Sequence, residues 1–350
     1  MRVVIVGATG NVGTSLVRAL AEEPAVESVL GVARRLPGWE AAKTEWAAAD
    51  VATSDLAPLF KGADVVVHLA WLIQPSRDLH AMRQVNVIGS ERVFAAAGEA
   101  GVKALVYASS VGAYSPGPKE RAVDEQWPTD GVPTSFYSRH KAEVERRLDR
   151  FEAERPEIRV VRLRPGLIFK REAGSGVRRL FLGPLVPTAL MTPAAIPVVP
   201  DVEGLRFQAV HSADVGEAYR LAVVGDVRGA FNIAADPVLE AATLAELLGA
   251  KRVRFPAGVL RAAAAVSWYL RAQPTPPGWV DLVLSVPLLD VTRARQVLGW
   301  QPRFDAGDAL LELLDGIRHQ AGLDTPPLAP STGGRLRWRE LRTGVGATSG

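Results

Sequence analysis

Tyr137 and Lys141 stand four residues apart in Tyr137-Ser138-Arg139-His140-Lys141, near the start of a run predicted to be helical to about Glu154. On a helix, residues i and i+4 share a face, so a phenol and an ammonium can point into one pocket. Free tyrosine titrates near ~10 and free lysine near ~10.4, so neither exchanges protons readily at neutral pH. A fixed ammonium beside the phenol favours the phenolate and lowers the tyrosine pKa, which makes Tyr137 a candidate general acid/base. Alone the pair is a weak signal, because a solvated helix face carries such residues too. Trp71 leaves a predicted strand, 64–70, at its C-terminal end, where parallel sheets bind ligands. It reads either as a stacking group for a ligand or as a core plug. His68, inside that apolar strand, reads as a core histidine. Asn86 lies in an apolar helical run at about 77–100, and a buried Asn there needs a hydrogen-bonding reason. The chain has no Cys, so disulfides, thiol nucleophiles and Cys-ligated metals are excluded, and no metal site is expected.

The elements that must position these groups read as alternating strands and helices. Residues 2–6 (RVVIV) form a short β-branched run, the signature of a buried parallel strand. Gly7-Ala8-Thr9-Gly10-Asn11-Val12-Gly13 follows, then an amphipathic helix from Thr14 to about Glu22. Strand, glycine turn and helix are the context of a dinucleotide fingerprint. Glycine lets the backbone approach a pyrophosphate, whose charge then rests on N–H groups at the helix N-terminus. The spacing is GxxGxxG rather than GxGxxG. A second strand, 29–32, ends at Ala33-Arg34-Arg35. A free ribose 2′-OH is usually met there by a carboxylate and a 2′-phosphate by Arg, so NADP(H) is expected over NAD(H), which stays possible. Asp50, after a third strand at 45–49, reads as an adenine contact or as a cap of the next turn. A fifth strand, 104–108, ends in Ser109-Ser110.

Charge narrows the partners. The formal net charge is +3, and residues 335–342 (RLRWRELR), with four Arg and one Glu, account for all of it. The rest is formally neutral, so no nucleic acid partner is expected. No apolar run reaches the ~18 residues needed to span a bilayer, and no membrane partner is expected. The lack of Cys suits a reducing compartment, with the cytoplasm as the expected location.

These features resemble, in order, the extended short-chain dehydrogenase/reductase family, often labelled NAD-dependent epimerase/dehydratase. They are GATGNVG, Asp50-Val51, HLA, VNVIGS, VYASSVGAYS, YSRHK, VVRLRPG (160–166), VHSADV (210–215), FNIA (231–234) and DVTRARQVLGWQP (290–302). The resemblance covers residues 2–304. It implies an α/β fold, a doubly wound parallel-sheet Rossmann domain of seven mainly parallel strands with a smaller mixed substrate lobe. It implies that Ser110 hydrogen-bonds the reacting oxygen, Tyr137 transfers the proton, Lys141 lowers its pKa and binds the nicotinamide ribose, and Asn86 orders a water relay. Motif positions place cofactor contacts at Gly7, Thr9, Gly10, Asn11, Val12, Gly13, Asp50, Val51, Leu69, Ala70, Tyr137, Lys141 and Pro165, beside Arg34 and Arg35. Trp71 and Ser110 are the candidate substrate contacts. A small-molecule substrate is implied, and a homodimer through the helices at about 77–100 and 137–155.

Two departures matter. Sugar-nucleotide dehydratases of this family carry an Asp-Glu pair after the Ser/Thr position, where this chain has Val111 and Gly112. The run from Pro165 to Arg171 lacks the Asn-containing pattern of many nucleotide-sugar enzymes. The expected function is therefore oxidoreduction of a ketone or aldehyde, or of the matching secondary alcohol. A nucleotide-sugar epimerase with tightly held NAD and a non-catalytic dinucleotide sensor are the alternatives. The dinucleotide-binding domain is expected at 1–165 plus 207–235, with the chain rejoining the sheet near 207–214 and again near 230–234. The substrate lobe is expected at 166–206 plus 236–322, and a flexible tail at 323–350. The proline-rich apolar segment 180–200 is a candidate lid, core or subunit contact. The run 259–271 is a candidate pocket wall, and 274–279 (PTPPGW) a rigid break.

Overall fold

The computed structural model describes residues 1–74, 77–182 and 191–330. Short runs of Val, Ile, Leu and Ala build one sheet: β1 (Arg2–Val6), β2 (Ser28–Ala33), β3 (Thr44–Ala48), β4 (Val65–His68), β5 (Ala104–Ala108), β6 (Arg159–Pro165) and β7 (Gly229–Ile233). Their order is β7-β6-β5-β4-β1-β2-β3, and every pair is parallel. β1, β4 and β5 are apolar on both faces because helices cover both. On one face lie α1 (Asn11–Ala21) and, later in the chain, the helix Ser212–Val224. They cross closely: a Cβ on Gly216 would come within 2.8 Å of the Ser15 carbonyl carbon. On the other face lie a helix of three parts (Leu79–Arg83, a π segment Gln84–Ile88, and Gly89–Glu99) and α2 (Phe136–Glu154). The order reverses between β1 and β4, so a crevice opens at their C-terminal ends.

The smaller lobe is built from short pieces. One three-stranded sheet joins Leu167–Phe169, Arg206–His211 and Ala235–Glu240, and a strand pair joins Val198–Asp201 to Lys251–Arg254. Helices pack on these strands, among them Ala241–Leu248, α3 (Ala257–Tyr269), α4 (Gly278–Ser285) and α5 (Ala306–Arg318). The structure corrects the expected return of the chain. Arg206–His211 pairs with Leu167–Phe169 and not with the main sheet, whose seventh strand is Gly229–Ile233. Gly166 explains the switch, since its Cβ would lie 2.5 Å from the Gln208 carbonyl oxygen, so only glycine lets the two backbones meet there. The expected tail is also shorter. Residues up to 330 are packed: Thr325 and Leu328 are buried, and the Trp39 N–H donates to the Asp324 carbonyl at 3.0 Å. Leu328 gives the segment an apolar group to bury. Residues 183–190 of the candidate lid and the basic stretch 335–342 lie outside the described residues.

Candidate active site

β5 delivers Ser109 and Ser110 to the crevice. The Ser110 hydroxyl accepts the Gly112 N–H at 3.0 Å, which starts a single 3-10 turn, Val111–Ala113. Ser135 caps α2 by accepting the Ser138 N–H. Ser138 Oγ in turn donates to the Gly112 carbonyl at 2.6 Å and accepts the Val132 N–H at 2.6 Å. These bonds lock the turn after β5 to the first turn of α2. Ser110 and Tyr137 are thereby held side by side around Gly112, whose Cβ position lies 3.4 Å from Ser110 Oγ. A Cβ on Gly112 would lie 2.7 Å from Tyr137 Cε1, so the position held by an acid in dehydratases here makes room for the phenol ring.

Lys141 reaches the same place one turn later. It is 3% exposed, and its Nζ donates to the Ala108 carbonyl at 2.6 Å. That Nζ lies 3.6 Å from the centre of the Trp71 ring and 5.9 Å from that of Tyr137. Burial pushes the Lys141 ammonium down to about 7, opposed by Glu145. Burial likewise pushes the Tyr137 phenol up to about 12, and the neighbouring Ser110 hydroxyl works against it. Against the expectation of a phenol lowered by the ammonium, burial outweighs the neighbouring charge at Tyr137. Lys141 spends its charge on Trp71 and a carbonyl, and desolvation governs Tyr137.

Aromatic rings close over this pair. Trp71 meets Tyr137 edge-on at 5.9 Å between ring centres, and Trp279 lies against its other side at 4.8 Å. Phe181 packs on Trp279 at 5.1 Å. Trp279 was missed in the sequence, where PPGW reads only as a break. The signal was Gly278, whose Cβ would lie 2.4 Å from the Thr134 carbonyl oxygen. Asn86 holds the other wall. Its amide donates to the Leu72 carbonyl at 2.8 Å and accepts the Leu72 N–H at 2.7 Å, which fixes the backbone beside Trp71. The Asn86 side chain thus serves as a positioning contact for the backbone beside Trp71. His68 is a core histidine as expected, with Nε2 bonded to Ser90 Oγ at 2.8 Å and burial holding its pKa down at about 3.

Beneath the site lies a buried ionic cluster that the sequence reading did not find. Glu145, 1% exposed, accepts from Arg164 at 2.9 and 3.0 Å, from Arg162 at 3.2 Å and from the Ser109 hydroxyl. Arg164 also donates to Tyr114 Oη at 3.0 Å, and Tyr114 donates to Asn232 at 2.7 Å. Burial alone would raise the Glu145 carboxyl, but the two guanidiniums hold it down at about 2. The available signal was two Arg at alternate positions of an otherwise apolar strand, which places both on one face.

The glycine turn fits a dinucleotide. Gly7 has φ +92, and its Cβ would lie 2.6 Å from the Ala70 nitrogen, so it packs on Leu69-Ala70 at the end of β4. Gly13 meets the Gly7 and Ala8 carbonyls in the same way, at 2.5 Å. Gly10 differs: nothing is nearer to its Cβ position than the Gly7 carbonyl oxygen at 3.5 Å, so packing does not require a glycine there. The first turn of α1 has neither a side-chain cap nor an acid, and Asn11 Oδ1 is buried without a partner. Free N–H groups at a helix N-terminus behind a missing side chain suit a pyrophosphate. Thr9 is buried and Val12 half-buried around this turn, and Pro165 is buried at the end of β6. Lys170, also missed, lies behind the turn and donates to the Asn11 carbonyl at 2.8 Å and Thr14 Oγ1 at 2.7 Å. Arg34 and Arg35 are exposed past β2 and make no ion pair among the described residues. Asp50 Oδ1 caps its own turn by accepting the Ala52 N–H at 2.9 Å, and Val51 is buried against Gly89.

A profile described as the NAD dependent epimerase/dehydratase family matches residues 3–234. An uncharacterised protein of Mycobacterium tuberculosis is 28% identical over 326 residues, 92% of this chain and 31% of its own length. The chain thus spans about a third of the first curated relatives it matches. The ceramide reductase of Caulobacter vibrioides is 36% identical over 134 residues, 37% of this chain and 41% of its own. The solved UDP-glucose 4-epimerase of Thermus thermophilus in complex with NAD superposes with a TM-score of 0.66 at 22% identity, covering 91% of this chain and 99% of that one. That likeness is one of fold.

Proposed function

The chain belongs to the NAD dependent epimerase/dehydratase family, and from that premise we propose that it interconverts a secondary alcohol and a carbonyl group with a nicotinamide dinucleotide. One observation carries the proposal: Ser110, Tyr137 and Lys141 converge after β5, at the same C-terminal edge of the parallel sheet as the uncapped glycine turn after β1. A bound dinucleotide supplies or accepts the hydride. The rest is done by this chain. In the reducing direction, charge grows on the substrate oxygen as its carbon gains hydride. The Ser110 hydroxyl donates to that oxygen, and the Tyr137 phenol passes it a proton. In the oxidising direction the same proton returns. With its pKa near 7, Lys141 can give or take a proton beside the phenol at neutral pH. The rings of Trp71 and Trp279 exclude water from the reacting atoms.

Two readings share this half-reaction. In the first, the cofactor is retained and the enzyme is a redox-neutral epimerase of a nucleotide sugar. The solved neighbour, an epimerase holding NAD, favours this reading more than the other. In the second, the cofactor exchanges, NADP(H) is preferred, and an apolar carbonyl compound is reduced. The unpaired Arg34 and Arg35 and the aromatic walls around Tyr137 favour it.

The deciding experiment is nucleotide release from the purified protein, followed by fluorescence titration with NADH and NADPH. Stoichiometric NAD carried through purification, with UDP-glucose epimerised, selects the first reading. An empty protein that binds NADPH at least about tenfold more tightly, with the preference lost in Arg34→Ala, selects the second. Binding of neither dinucleotide overturns both. Tyr137→Phe is expected to lower turnover by about 10³-fold or more while leaving dinucleotide affinity within about threefold. Residual turnover within about tenfold of the parent would remove Tyr137 from the chemistry.

A further inference from the structure

Among the described residues, eleven large hydrophobic side chains are exposed; five fall on one strand pair and the helix that follows it, and Phe255 and Leu270 flank that helix. α3 buries none of its thirteen residues. Val259, Ala262, Ala263, Val266 and Leu270 are all exposed, and their spacing of three and four puts them on one face of the helix. The strand pair, joined to that helix through Phe255-Pro256, also exposes apolar groups. In the register Val198↔Lys251 and Pro200↔Val253, all four side chains are exposed, while Val199 on the opposite face is buried. Exposed apolar side chains gathered on one helix face of a folded chain mark a contact site.

Charge selects the occupant. Residues 251–271 carry Lys251, Arg252, Arg254, Arg261 and Arg271 and no acid, and the facing strand 198–201 adds only Asp201, opposite Arg254, so the face keeps a local positive excess that the near-neutral balance of the body conceals. Arg261 pairs with Asp281 at 2.7 Å, and the other four make no ion pair among the described residues. A second copy docked about a twofold axis would set this cationic set against itself. An anionic bilayer surface matches both the apolar stripe and the charge around it. The exposed Tyr269, on the flank of the stripe, is a residue type that settles at a headgroup boundary.

We propose that this face seats the protein on an anionic lipid surface, with α3 lying along the headgroups. No helix among the described residues is long and apolar enough to cross a membrane. α3 packs on α4, whose Trp279 covers Tyr137, so the seat lies next to the aromatic wall of the candidate site.

The test is sedimentation of the full chain with phosphatidylcholine vesicles made with and without phosphatidylserine. Two double variants, Val266→Asp with Leu270→Asp and Lys251→Glu with Arg254→Glu, change only exposed side chains, and their thermal midpoints are measured alongside. The expected result is binding that requires phosphatidylserine, falls with salt, and is at least about tenfold weaker in each folded variant. Absence of binding by the parent protein overturns the proposal, and so does equal binding with and without phosphatidylserine. A dimer that dissociates in the Val266→Asp/Leu270→Asp variant, without vesicle binding by the parent, gives the face to a second copy and also overturns it. None of these readouts depends on turnover.

Discussion

Lys141 weakens the fold in order to stand where it does. Its ammonium is buried without a carboxylate in direct contact, and its pKa falls from an ordinary 10.5 to about 7. The unfolded chain therefore binds more protons than the folded one between those values, and stability rises with pH across that window. Below pH 7 the penalty is complete. Lys141→Met, which keeps the length and removes the charge, is expected to raise stability at pH 7 by about 2 kcal/mol while abolishing turnover. Urea unfolding of both proteins at pH 7 and pH 10 checks this, since the gap must narrow at the higher pH. A variant less stable than the parent at pH 7 would show that the Trp71 and Ala108 contacts outweigh desolvation. The Tyr137–Lys141 spacing was legible in the sequence because it is local to one helix. What the ammonium does there was not, because Trp71 comes from another element.

α2 carries chemistry and anchorage on one face. Tyr137, Lys141 and Glu145 follow each other at four-residue steps, and the apolar Leu148 and Phe151 continue the buried side. Glu145 ties that face to β6 through Arg162 and Arg164, so the register of the helix against the sheet is set by charge as well as by packing. Its carboxyl has an ordinary pKa of 4.5 and a folded value of about 2. The stability it contributes is complete above pH 4.5 and is lost as pH falls towards 2. Glu145→Gln leaves the Arg164 guanidinium buried without its anion, while Arg162 keeps Asp149 and Glu152, and is expected to cost about 3 kcal/mol at pH 7. Its loss of stability between pH 4.5 and pH 2 should be smaller than the parent's, which acid titration by circular dichroism measures. Parallel acid curves would mean that the cluster is neutral to folding. Strands and helices were readable from periodicity, but an ion pair between α2 and β6 depends on which faces meet, and a single sequence does not state that.

The two lobes are held together by groups from late in the chain. Asp214 is fully buried at the head of Ser212–Val224 and accepts the Arg303 and Phe304 N–H groups at 3.0 and 3.1 Å, while Trp300 donates to its carbonyl at 2.8 Å. Asp214→Ala strands these donors and is expected to cost about 2 kcal/mol, with faster amide hydrogen exchange confined to about 298–306. Unchanged exchange there would show that Trp300 holds the segment alone. The main sheet was legible nearly strand by strand, because each strand is a buried β-branched run closed by a turn. The small lobe was not: its strands are two to six residues long, and its sheets pair segments distant in sequence. The run at 259–271 was read as a pocket wall, yet its helix turns an apolar face outward.

The placement of two indoles against the reactive pair has an optical consequence. Trp71 lies on the Lys141 ammonium and Trp279 on the Tyr137 ring, so both chromophores sense the charge and contents of the crevice directly. Their emission should report protonation of Lys141 near pH 7 and the arrival of any absorbing ligand, which makes the site its own spectroscopic probe without an attached dye.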